Sequence, residues 1–190
     1  MPIVLPAIVG AIVPNLIATG NIGDKTPQLA TGIANGLQQW IPSIVVQTTD
    51  AGSLGVGSGG PMPLVVPQPA LYGALLAGAA SAGVLGIMAP LMFLGIANGL
   101  VLSFAQMLIK TTHPGVGAGT GAARFIGGSA VPAMTAGFAA AGMKGQGTVQ
   151  IATAVGTGLD ITFQALAIPV PIVGSASPSG GSGVGVGLII

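Results

Sequence analysis

The chain has 190 residues and only 4% of them are charged, whereas about a quarter of the residues in a typical soluble domain are charged. Its four basic and three acidic side chains are scattered and give a net charge of +1, so we expect no nucleic-acid partner, because phosphate binding needs clustered Lys and Arg. No cysteine is present, which excludes disulfides and thiolate chemistry, and so few charges predict that most of the exterior faces protein or lipid.

The first predicted elements are two apolar segments in the N-terminal third of the chain. The first begins after Pro6; because no basic residues precede it, it is a poor match to a secretory signal and is predicted to be a structural helix. The second runs from Pro27 to Ile41. Its apolar and polar residues do not alternate with the period of two that a strand shows, so a second helix is predicted after a Gly-containing turn. The chain then becomes glycine-rich and extended, with Ile44 to Thr49 as a candidate short strand.

The same plan recurs at an offset of 63 residues. GIANGL at residues 32–37 is identical to GIANGL at residues 95–100. Other matches hold the same register and pair Pro6, Gly20 and Pro27 with Pro69, Gly83 and Pro90. A shared offset of 63 at so many positions is hard to obtain by chance, even in a glycine-rich chain. The second unit is therefore predicted to contain helices over 71–85 and 90–109 and then another glycine-rich segment.

A third and weaker copy follows, in which Gly158-Leu159 aligns with Gly99-Leu100 and a helix is predicted over 148–166. We therefore predict a mainly α fold of three tandem helix–helix repeats, each followed by a Gly-rich extended loop, within one compact domain. The repeat units are residues 1–63, 64–127 and 128–190. These units are arranged either around a pseudo-threefold axis or as a loose helical array. A separate alternative concerns the fold class, which would be α+β with short strands in the Gly-rich segments.

Glycines inside the predicted second helices are the candidate site residues, with a helix-packing role. They are Gly32, Gly36, Gly95, Gly99 and, in the third unit, Gly158. Glycine inside a helix costs about 1 kcal/mol relative to alanine, so a sequence that keeps it there usually gains a close backbone approach. Because small residues four apart let two helices touch, we predict that this face packs helix against helix.

No arrangement of side chains indicates catalysis, and we predict that the protein is not an enzyme. His113 is the only imidazole, and the repeat places Asp50 and Ile172 at the same position, which favours an exposed turn over a catalytic or metal-binding role. Residues 55–60 formally match a dinucleotide fingerprint, but PMPLVVPQP follows where a helix should begin. We therefore expect no cofactor and no metal; three copies of His113 around a homotrimer axis would be the remaining arrangement for a metal.

Abundant Gly, Ala, Thr and Ser, scarce charge, no Cys and no targeting signal resemble, in style, small bacteriophage virion proteins of tails, baseplates or ejection machinery. The resemblance implies a non-enzymatic structural component of the virion, and a pseudo-threefold chain would suit a place at or near a symmetry axis. Its partners would be other subunits of the assembly. A homo-oligomer and a membrane contact are further partner hypotheses.

The alternative function is a small integral membrane protein, channel-like or holin-like, located in a membrane. Leu71 to Ile109 is nearly uncharged and long enough for two spans separated near Ala89-Pro90. Against this alternative, the segment from Ala133 to Met143 is shorter than the roughly 20 residues that a span needs. Basic flanks are also too sparse to set a topology.

Overall fold

The computed structural model describes the backbone of residues 5–21, 23–41, 45–53, 56–63, 66–84, 86–106, 108–113, 118–126, 129–165, 168–174 and 181–188. Side chains are described for residues 5–21, 23–41, 66–84, 86–105 and 129–162.

Six helices account for most of the regular structure in these residues. They are α1 Leu5–Ala18, α2 Thr26–Trp40, α3 Gln68–Ser81, α4 Ala89–Gln106, α5 Ala130–Ala140 and α6 Gln146–Ala165. The described strands are β1 Val45–Ser53, β2 Val56–Pro63, β3 Leu108–His113, β4 Ala118–Ile126, β5 Ile168–Gly174 and β6 Gly181–Leu188. The chain thus runs through two helices and two strands three times in succession, and the predicted mainly α character is confirmed for the described residues.

The strands occupy the glycine-rich segments, where the main prediction had extended loops and the alternative had short strands. Each strand pairs antiparallel with its neighbour in the chain, and β6 returns to pair with β1 over Val45–Gly52, so the sheet closes into a barrel. Pairing satisfies backbone N–H and C=O groups that a bare extended loop would leave to water. Closure also removes the open edges at which a sheet would pair with other chains.

The helices form a ring in which each one packs against two neighbours. Contacts join α1 to α2, α2 to α3 and so on to α6, which packs against α1. Helix α1 packs one face on the core. Its residues Ile8, Ile12 and Leu16 lie four residues apart and are fully buried, which is the apolar stripe expected of such a helix. Helices α2, α4 and α6 bury side chains on more than one face and supply much of the core.

Helices α1, α3 and α5 end in the same glycine turn. The glycines Gly20, Gly83 and Gly142 have φ values of 85°, 73° and 79°. The amide of the following residue donates to the carbonyl oxygen of Leu16, Ala79 or Phe138 over 2.9, 2.9 and 3.0 Å. This is the Schellman arrangement, in which a residue of left-handed conformation reverses the chain, and glycine adopts that conformation without a steric penalty. Each helix pair therefore becomes an antiparallel hairpin.

Candidate functional site

The first glycine contact joins α2 to α3. A Cβ atom on Gly36 would lie 2.6 Å from the Cα of Leu75, and one on Gly32 would lie 3.1 Å from the Cα of Ala79. From the opposite side, a Cβ on Gly78 would collide with the backbone of both Gly32 and Gly36. The two helix backbones touch here, because side chains are absent from both faces.

The second glycine contact joins α4 to α5 in the same way. A Cβ on Gly99 would lie 2.7 Å from the Cα of Met134, and one on Gly95 would lie 2.8 Å from the Cδ1 of Phe138. A Cβ on Gly137 would collide with the amide nitrogen of Gly99. The sequence-derived candidates Gly95 and Gly99 thus lie against a neighbouring helix together with a glycine from that helix.

The third contact joins α6 to α1 and has glycine on one side only. A Cβ on Gly158 would lie 2.8 Å from the Cα of Ile12 and 3.1 Å from the carbonyl oxygen of Ala11. Ala154 is fully buried one turn earlier on the same helix. On α1, the Nδ2 of Asn15 donates to the carbonyl oxygen of Ala11 over 2.7 Å, so the amide side chain folds back along its own helix.

Three glycines at these helix contacts were missed by the sequence reasoning. Gly78 and Gly137 complete the first two contacts from the opposite helix, and Gly156 lies inside the third hairpin, where a Cβ would come within 2.7 Å of the Cα of Val131. A signal for the first two exists, since each follows an alanine in a run of small residues. That signal identifies a small-residue face but does not show which helix covers it.

Asp160 holds the start of α5. Its Oδ1 accepts a hydrogen bond from the backbone N–H of Ala130 over 2.7 Å, and its Oδ2 accepts one from the hydroxyl of Ser129 over 2.9 Å. A carboxylate stabilises a helix N-terminus because free N–H groups and the positive end of the helix dipole lie there. Asp160 therefore has a structural contact. The side chains of His113 and Asp50 lie outside the described residues.

Neighbouring helices run antiparallel, as the contacts of Gly32 and Gly36 with α3 and of Gly95 and Gly99 with α5 show, so the turns within the helix pairs lie at the end of the ring opposite the strand connections. We call the described turn residues 19–21, 23–25, 82–84, 86–88 and 141–145, with the flanking helix termini, the turn end. A cleft of about 480 Å³ lies between the first turn and Val84 and Met92 of the second hairpin. A second cleft of about 530 Å³ lies between Gly20 and the start of α6, including Val149. The clefts show that the first turn adjoins the second hairpin on one side and the start of α6 on the other.

The turn end carries most of the exposed large apolar side chains of the described residues. Of seven such side chains, five lie there, namely Ile17, Ile87, Met88, Leu91 and Val149. Ile87 is 94% exposed, which is unusual for an aliphatic residue in a folded protein. Lys25 and Lys144 are also exposed in the first and third turns. The second turn is therefore the most apolar part of the turn end, and the first and third turns each carry an exposed lysine.

No protein-family model matches this chain, and no curated protein or solved structure matches it. None of the described helices combines the length and the apolar character needed to cross a bilayer. Within the described side chains, no three His, Cys, Asp or Glu residues come together as a metal-binding group would require.

Proposed function

We propose that the chain is a non-enzymatic structural component of a large assembly, a bacteriophage tail, baseplate or ejection protein packed at or near a symmetry axis. The observation that carries the proposal is the recurrence of one helix contact around the ring. Each contact runs from the second helix of one hairpin to the first helix of the next, and the last one returns to α1. Such a ring is what three tandem units around a pseudo-threefold axis would produce.

Matched residues support this arrangement. The contact pairs are Gly36 with Leu75, Gly99 with Met134 and Gly158 with Ile12. Each pair places a glycine of the second helix against the Cα of an apolar residue in the next unit. The same interval in sequence separates Leu75 from Met134 and Gly99 from Gly158, so both members of the contact move together from unit to unit.

The core supports the same reading. Residues at matching places in the three second helices are almost completely buried, namely Ile33, Ile96 and Val155 in one layer and Leu37, Leu100 and Leu159 in the next. Layers built from one residue of each unit are expected around an axis. A loose helical array would give the two end units different surroundings, because an open array leaves its terminal units with a single neighbour.

The scarcity of charge supports burial in an assembly. The described side chains include two lysines and two aspartates, and one of these aspartates is engaged at the start of α5. An isolated domain of this size normally covers about a quarter to a third of its surface with charged residues. Contact with other subunits would cover the apolar surface that remains.

The decisive experiment measures location and stoichiometry. We expect the chain to co-purify with particles in the absence of detergent and to be present as one copy per threefold site, because one chain supplies all three units. Quantitative mass spectrometry against a structural protein of known copy number would measure this ratio. Three copies per threefold site would overturn the axial position, and recovery only from detergent-solubilised membranes would favour the integral membrane alternative.

A further inference from the structure

The three turns of the turn end share a left-handed glycine after the first helix, but the residues after their second glycine differ in chemistry. These residues are Asp24 and Lys25 in the first hairpin, Ile87 and Met88 in the second, and Gln146 and Gly147, already within α6, in the third. The first turn carries one charge of each sign, the second is apolar and the third carries Lys144. A symmetric partner would meet the same chemistry in each unit, so this end is not built for three identical contacts.

We propose that the turn end docks on a lipid surface with anionic headgroups, with Ile87 and Met88 entering the boundary between headgroups and acyl chains. Ile87 is 94% exposed and Met88 is 53% exposed, and they are adjacent in a turn. An aliphatic pair on a projecting turn can reach an acyl layer without unfolding either helix of the hairpin. Leu91, 40% exposed in the first turn of α4, extends the same apolar surface.

The described charges at this end are Lys25, Lys144 and Asp24, so their net charge is +1, which favours an anionic surface. Lys25 lies in the turn that adjoins the apolar one across a cleft, and Lys144 lies in the third turn. A lysine near an anionic bilayer is attracted to its headgroups, and its long apolar stem lets the ammonium group stay at headgroup level. Among the described carboxylates, Asp24 lies at this end, whereas Asp160 lies near the opposite end of α6.

The side-chain types favour lipid over a protein partner. The exposed large apolar side chains of the turn end are all aliphatic. Protein interfaces gain most of their affinity from Trp, Tyr and Arg seated in shaped pockets. An acyl layer accepts Ile, Met and Leu in any rotamer, so it needs no complementary pocket. Binding through one short apolar turn is expected to be weak and reversible.

Vesicle flotation tests this docking. The full-length protein in mild detergent is first mixed with preformed vesicles of phosphatidylcholine and phosphatidylglycerol at 70:30, and the detergent is then diluted below its critical micelle concentration, so that lipid is present before the protein can aggregate. Lipid-bound protein floats in a density gradient, whereas aggregates pellet. We expect flotation with these vesicles, little with pure phosphatidylcholine, and release in 0.5 M NaCl, because salt screens the lysine contribution. The protein pelleting with both vesicle types, or staying with lipid at high salt, would overturn the proposal.

Matched variants locate the contact. Ile87→Asp should lower the bound fraction at least tenfold, and Met88→Asp should lower it less. Ile161→Asp is the control, because Ile161 is 50% exposed but lies near the far end of α6. Equal flotation of Ile87→Asp and the parent, or equal loss in the Ile161→Asp control, would reject docking by the turn end. The vesicle assay uses no particles, so its failure and a failure of the proposed function are separate results.

Discussion

Replacing Gly99 with alanine tests whether the glycine contacts hold the ring together. The added Cβ would lie 2.7 Å from the Cα of Met134, a backbone atom that cannot rotate away. Carbon atoms in contact are normally about 3.5–4.0 Å apart, so α4 and α5 would have to separate locally by roughly 1 Å. The flexible end of the Met134 side chain can move, but its Cα cannot move without the helix.

The size of the effect follows from two opposing contributions. Inserting a methyl group into a close-packed contact costs about 1–3 kcal/mol, whereas alanine is favoured over glycine inside a helix by about 1 kcal/mol. Gly73→Ala is the matched control: Gly73 is an exposed glycine within α3, and its added Cβ meets nothing within 4 Å. The helix-propensity gain is common to both variants. The difference between them is therefore the steric cost alone, about 1–3 kcal/mol.

Thermal unfolding in mild detergent, followed by circular dichroism, measures this difference, because the isolated protein is expected to aggregate without detergent. For a chain of this size 1 kcal/mol corresponds to roughly 2–4 °C, so Gly99→Ala should melt about 2–12 °C below Gly73→Ala. We expect the control to melt slightly above the parent protein. Equal stabilisation by both substitutions would mean that the glycines only loosen their helices, and it would refute the packing explanation.

Three further results are expected. In urea titrations, Asp160→Ala should lower the free energy of unfolding by about 1 kcal/mol or more, because it removes both hydrogen bonds at the start of α5. The control Asp24→Ala, in an exposed turn, should change it by less than about 0.5 kcal/mol. Gly20→Ala should be destabilising by roughly 1–2 kcal/mol, because φ is +85° there, whereas Gly10→Ala in open space within α1 should be stabilising, and thermal melts would show opposite shifts. The isolated protein should sediment as aggregates at physiological salt without detergent, and a monodisperse monomer in analytical ultracentrifugation would contradict this.

The starts of α2 and α4 were predictable because their signals are local, whereas the predicted ends of 71–85 and 90–109 were wrong, since α3 ends at Ser81 and residues 108–109 lie in β3. A proline at the start and a glycine turn before it mark α2 and α4, which were predicted over 27–41 and 90–109 and begin within one residue of those positions. The Schellman turns were visible as recurring glycines. Each of these signals depends on a few neighbouring residues, so it can be recognised in the sequence without knowledge of the rest of the fold.

The barrel was not predictable in the same way. Its glycine-rich strands lack a clear alternation of apolar and polar residues, and their pairing partners are set by the fold as a whole. The closing pair shows the difficulty, since β1 at Val45–Ser53 pairs with β6 at Gly181–Leu188, at the other end of the chain. Pairing over such distances leaves no signature in either segment.

The candidate site was partly visible in sequence. The GIANGL identity indicated one face of the first two contacts, but the opposing Gly78 and Gly137 lie on the first helix of the following hairpin, and only the fold brings them there. In sequence, Pro132-Ala133 resembles Pro69-Ala70 at the offset of 63, whereas Gly158-Leu159 matches Gly99-Leu100 at an offset of 59, which predicts a loss of four residues between the two helices of the third copy. The contacts pair Met134 with Gly99 as Leu75 pairs with Gly36, and Met134 already follows Leu75 by 59 residues, so the loss falls before α5.

One position of the proposed repeat, occupied by Gly32, Gly95 and Ala154, tests how closely each pair of neighbouring helices approaches. An added Cβ would lie 3.1 Å from backbone at Gly32 and 2.8 Å from the Phe138 ring at Gly95, whereas Ala154 already carries one. Gly32→Ala needs a shift of a few tenths of an ångström, and its small steric cost should be offset by the gain of about 1 kcal/mol in helix propensity. Ala154→Gly should be destabilising by about 1 kcal/mol, because the α6–α1 contact is already wide enough for a methyl group. Urea titrations would measure the change in the free energy of unfolding for both variants. A stabilising Ala154→Gly would show that the third contact is as close as the other two.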